Sequence, residues 1–116
     1  MIKKTLAMIL IAGSMFAFAG DGETMDVKGE IVDMSCYVSH GARGEKHAKC
    51  AMGCAKKGLP IGVLTESGDL YLIIENHDNA DAYAAAKEKA ASTVTVQGTV
   101  FEKNGMKAIQ VAAIIE

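Results

Sequence analysis

The sequence predicts a mainly β (α+β) domain: a small five-stranded OB-like barrel with a Cys/His-bearing helical insertion after strand 1 and a second helix between strands 3 and 4. Three observations predict it. Short runs rich in valine, isoleucine and threonine recur along the chain, parted by turns that contain glycine, proline or asparagine. Two helix-forming segments interrupt them, at residues 44–57 and within 75–91. The resulting order is strand, helical insertion, strand, strand, helix, strand, strand; without the insertion this is the element order of a five-stranded barrel plugged by a helix between strands 3 and 4.

The chain begins MIKKTLAMILIAGSMFAFAGDGE. Lys3 and Lys4 precede an uncharged apolar run from Thr5 to Ala19, which ends in the small-x-small triplet Ala17, Phe18, Ala19; this is the pattern of a cleaved secretory signal peptide over residues 1–19. The run is roughly 15 residues, shorter than the roughly 20 that cross a bilayer as a helix. The expectation is a periplasmic or secreted protein with no stable membrane insertion after cleavage. Residues 20–116 then form a single domain of a size that buries about 60–65% of its unfolded surface. The whole chain carries a formal charge of −2, two of its lysines lie in the leader, and the mature charge is therefore −4. No basic patch points to nucleic acid.

Along the domain, residues 25–34, MDVKGEIVDM, read as strand 1, with Gly29 at an expected bend or bulge. Residues 44–57, GEKHAKCAMGCAKK, read as a helix stopped by Gly58 and Pro60. The runs IGVLTE and LYLIIE flank Ser67, Gly68 and Asp69 as a hairpin. An alanine-rich helix follows, with Asn76, Asp78 or Asn79 available to cap it. The last two strands, in residues 92–103 and 106–116, flank Asn104-Gly105, a strong hairpin signal. In the first of them Val94, Val96, Gly98 and Val100 share a core face, while Thr93, Thr95, Gln97 and Thr99 share the other.

The chemistry is concentrated in CYVSHGARGEKHAKCAMGC, which holds all three cysteines and two of the three histidines. At about 100° per residue, a helix over residues 44–57 places His47, Cys50 and Cys54 within an arc of roughly 60°. Lys46, Lys49, Lys56 and Lys57 fall on the opposite, solvated side, and Met52 sits at the edge of the inward stripe as an expected core residue. Cys36 is tethered to this face through a loop containing Gly41 and Gly44. Cys36, His47, Cys50 and Cys54 then make a Cys3His set suited to tetrahedral zinc; thiolates also suit copper(I). His40 and His77 are spare imidazoles, with solvated-loop and helix-start positions as their plainer explanation. Asp33 and Glu45 are carboxylates that could orient an imidazole from behind. Tyr37 and Arg43 lie in the same loop, either at the surface or lining a small pocket.

Other readings compete. Cys50 and Cys54 could pack as small hydrophobes. A disulfide from Cys36 to Cys50 or Cys54 would stabilise a small exported domain by about 3 kcal/mol, giving a stapled, non-catalytic module whose barrel face binds a peptide, a saccharide or an exported protein partner. Three cysteines cannot all pair within one chain, so one thiol stays free or metal-bound. Thiol exchange is a third reading, although C-x3-C lacks the C-x2-C spacing of low-pKa redox pairs. No nucleophile elbow, phosphate loop or H-E-x-x-H pair is present, and the balance favours a binding protein over an enzyme.

The stretch GEIVDMSCYVSHGARGEKHAKCAMGCAKKGLPIGVL, followed by two short strands, a helix and VTVQGTVFEKNGMKAIQVAAI, resembles small exported bacterial proteins with an OB-like domain. That resemblance implies the fold and the compartment, and carries no activity with it.

Overall fold

In the computed structural model, which describes residues 22–116, five strands close into a barrel. They are β1 (Glu23–Asp33), β2 (Ile61–Thr65), β3 (Leu70–Ile74), β4 (Thr93–Lys103) and β5 (Met106–Ile115), hydrogen-bonded in the order β1-β2-β3-β5-β4 and back to β1. The insertion between β1 and β2 comprises α1 (Met34–His40), a 3₁₀ turn (Glu45–His47) and α2 (Ala48–Lys56); α3 (Ala80–Lys87) lies between β3 and β4. The barrel and the placing of both helical segments are those the sequence predicts. The leader expected over residues 1–19 lies outside the described residues, and no helix among those described is long and apolar enough to cross a membrane.

β1 is the seam of the barrel. Its first part, Glu23 to Glu30, pairs antiparallel with β4, and its last part, Gly29 to Asp33, pairs antiparallel with β2. The circuit closes where β3 runs parallel to β5 through Leu72, Ile73 and Ile74. Inside, Val27, Ile31, Ile61, Val63, Ile73, Val94, Val96, Ile109 and Val111 form the core. Each such aliphatic side chain contributes about 1.5–3 kcal/mol by leaving water. Val94, Val96 and Gly98 are buried as their alternation requires, and Val100 is half-buried.

Both longer helices dock through alanine. Ala51 and Ala55 on α2, and Ala82 and Ala86 on α3, are each four residues apart, so each pair shares one helix face. Their small side chains let the helix backbone approach the strands. Met52 follows Ala51 by about 100° of turn. It therefore stands at the surface, 36% exposed, and not in the core as the sequence suggested.

The turns follow local chemistry. Asn104 and Gly105 take φ of 53° and 85°, the pair of left-handed conformations a two-residue hairpin needs. Asn79 occupies the N-cap position of α3, but its side-chain amide donates to the Ala112 carbonyl at 3.0 Å, pinning the helix start to β5; Asn76 accepts from the Asp78 N–H at 2.9 Å. β1 runs without a register break through Gly29, so the expected bulge is not there. The register shift lies between Gln97 and Gly98 in β4. Gly29 serves the opposite end: a Cβ at that position would run into the Leu64 carbonyl of β2. Gly29→Ala should destabilise the domain by about 1–3 kcal/mol, read as a lower urea midpoint at unchanged slope. An unchanged midpoint would show that β2 moves aside freely.

Candidate metal centre

The chain leaves β1 by turning directly into a helix, and the turning residue is Asp33. It is the N-cap of α1, extended at φ −76° and ψ 113°, and its Oδ1 accepts the Ser35 N–H at 3.2 Å. Only 1% of Asp33 is exposed, and its second oxygen, Oδ2, has no hydrogen-bond partner. Cys36 follows three residues on, in the first helical turn, where a side chain lies over the cap. The sequence read the segment from Cys36 onward to the helix as a flexible loop; its first part is instead α1, which carries Cys36 beside the strand end.

The long helix expected over residues 44–57 is broken. Gly44, at φ 82° and ψ −176°, starts a 3₁₀ turn whose last residue is His47, and α2 begins only at Ala48. The His47 N–H donates to the Gly44 carbonyl at 2.9 Å. The 3₁₀ turn winds more tightly than an α-helix, so the angle that one continuous helix would set between His47 and the cysteines of α2 no longer applies. Its imidazole meets Asp33 and Cys36: one ligand atom from each of the three residues lies within 4.8 Å of the others. His47 Nε2 is buried and, like Asp33 Oδ2, has no hydrogen-bond partner.

The two remaining thiols divide. Cys54 is half-buried on α2 and close enough to feel Asp33; Cys50 is exposed. All three cysteines are free. The Asp33 carboxylate beside it holds the Cys36 thiol above its ordinary pKa, helped by burial. Cys54 is pushed the same way, first by burial and then by Asp33. Cys50 is not in the three-donor group. The neighbouring residues lie outside the three-donor group. His40 is exposed and bonded to Ser39 Oγ at 2.7 Å, His77 is exposed, and Glu45 is exposed in the 3₁₀ turn. Asp33, which the sequence suggested as an orienting partner, is itself one of the three donors.

One residue that sequence reasoning passed over belongs to this region. Glu30 on β1 is 7% exposed and binds Arg43 and the Gly44 N–H. Its signal was present: a glutamate amid Gly29, Ile31 and Val32, in a strand otherwise apolar at that point, needs a cation or an N–H donor once buried. Arg43 borders a concavity of about 430 Å³ on the barrel wall, shared with Lys28, Leu64, Thr65 and Glu66.

No family model, curated protein or solved structure matches the chain. What the centre can do therefore follows from its donors. A carboxylate oxygen, an imidazole nitrogen and a thiol converge, and Asp33 and His47 each hold a buried side-chain atom with no hydrogen bond. Each buried unpaired polar atom costs about 1–3 kcal/mol, a cost that one shared cation would remove.

Proposed function

We propose that this protein is an exported metal-binding domain that takes one zinc ion between Asp33, Cys36 and His47, with Cys54 closing the set. The observation that carries this reading is the convergence of one donor atom each from Asp33, Cys36 and His47 within 4.8 Å, in residues of which two, Asp33 and His47, hold a buried side-chain atom without a hydrogen bond. Zinc accepts carboxylate, imidazole and thiolate together. Copper(I) favours soft sulfur donors, and a hard carboxylate at the centre of the set argues for zinc. Ligand atoms bound at roughly 2.0–2.3 Å to one ion lie within about 4 Å of one another, a spacing that three donors already within 4.8 Å of one another can meet. The barrel core is complete without these side chains. The metal would thus fasten the insertion to the barrel without nucleating the fold, which suits a protein that handles metal reversibly. The leader pattern in residues 1–19 supports action outside the cytoplasm.

The competing readings lose ground on the same residues. With three free thiols there is no staple, and thiols raised above their ordinary pKa are poorly suited to exchange chemistry, which uses the thiolate. Native mass spectrometry of the reduced mature domain should show one zinc bound, with Asp33→Ala and Cys36→Ser each staying empty. A protein that remains metal-free in excess zinc and copper(I) would sink the proposal.

A further inference from the structure

We infer that Glu30 is the positioning residue for His47, fixing the connector that carries this imidazole to the metal; the inference rests on the zinc reading above. Glu30 lies on β1 three residues before Asp33, so the two project from opposite faces of the strand. Glu30 Oε1 accepts from Arg43 Nε at 3.0 Å and lies 2.9 Å from Arg43 Nη2, and Oε2 accepts the Gly44 N–H at 2.5 Å. The Gly44 carbonyl then accepts the His47 N–H. An unbroken path of hydrogen bonds thus runs from β1 through Glu30 and Gly44 to the histidine.

The rest of the connector explains why such a path is needed. Between Cys36 and His47 the chain is held at its first end by the close of α1, where Gly41 N–H donates to the Tyr37 carbonyl and Ala42 N–H to that of Cys36. Residues 41–43 have no regular structure, and the second end is held by Glu30. Gly44 sits at φ 82°, a conformation that L side chains rarely adopt. The placement of His47 therefore depends on a fastening outside its own 3₁₀ turn. The Arg43 side chain is 54% exposed, so its ion pair with Glu30 adds little net stability, and the value of the buried Glu30 carboxylate lies in specifying one arrangement of the connector. The arrangement it specifies is the separation between two metal donors, Cys36 and His47.

The test compares Glu30→Ala in the wild-type and His47→Ala backgrounds, with zinc as the probe. Glu30→Ala should weaken zinc binding about 10–100-fold, the range expected when a residue that orients a ligand is lost. In the His47→Ala background it should cause no further loss, because the residue it positions is already gone. In the metal-free protein the same variant should speed hydrogen exchange at the His47 amide. Zinc affinity within twofold of wild type, or an equal loss in both backgrounds, overturns the inference. So does a fall in thermal stability with affinity unchanged. Should Glu30→Ala not fold, Glu30→Gln keeps the size and one acceptor oxygen and serves the same comparison. A wild-type protein that takes no zinc sinks the metal reading by itself, and the His47 amide in the metal-free variant then decides whether Glu30 sets that residue.

Discussion

Asp33→Asn should weaken zinc binding by about 100-fold or more and at the same time raise the stability of the metal-free protein by about 1 kcal/mol. The opposite signs arise from one atom. Asparagine keeps the Oδ1 acceptor, so the cap on the Ser35 N–H survives. It replaces a carboxylate oxygen, Oδ2, that has no hydrogen-bond partner at a site that is 1% exposed. A buried polar oxygen without a hydrogen bond weighs against folding, and a side chain kept under that penalty is one used for something other than stability. Urea denaturation of the chelated protein and competition titration with a zinc chelator measure the two effects separately. A variant that loses stability but keeps zinc would mean that Asp33 is a capping residue only.

Metal-free stability should decline as pH rises above the ordinary thiol range, and zinc should reverse this. Cys36 and Cys54 both have folded-state pKa values raised above the unfolded value. The fold therefore favours the protonated thiols: their contribution is whole below the unfolded value of about 8.5 and is lost as pH climbs through the raised folded values. Urea midpoints of the chelated protein at pH 7, 8, 9 and 10 should fall across the last three points. Asp33→Asn should flatten the decline, because Asp33 contributes to the shift on both thiols. Zinc binds the thiolate, so its affinity should increase with pH over the same range. At free zinc a thousandfold above its dissociation constant, loading adds about 4.1 kcal/mol, and chelation should remove it. A pH-independent midpoint in the metal-free protein would show that Asp33 does not reach the thiols.

The barrel was legible because its information is local and periodic. Alternation in β4 marks its core face, Asn104-Gly105 forms the turn that such a pair favours, and the alanine run between β3 and β4 becomes α3. The insertion was harder to read, because its side chains are placed by contacts made elsewhere. A helical wheel over residues 44–57 assumes one uninterrupted helix. The structure replaces its first turn by the 3₁₀ turn Glu45–His47, which starts from Gly44 at positive φ with its N–H held by Glu30 from a different element. That change of helix type brings the histidine to Asp33 and Cys36. Met52 fails for a related reason: α2 approaches the barrel on Ala51 and Ala55, and so close a docking leaves the neighbouring long side chain at the rim.

By itself the sequence determined the closed five-stranded barrel, the place of both helical segments, and the stretch in which cysteine and histidine would meet. Periodicity, turn chemistry and composition act over a few residues and survive in any context. Tertiary structure alone decided which donors meet. Asp33 is an ordinary strand-end aspartate in the sequence and becomes a buried, half-partnered carboxylate only when the insertion folds over the end of β1. Cys50 has the same chemistry as Cys36, yet α2 turns it toward solvent. Burial and convergence are properties of packed elements, and one-dimensional spacing carries neither.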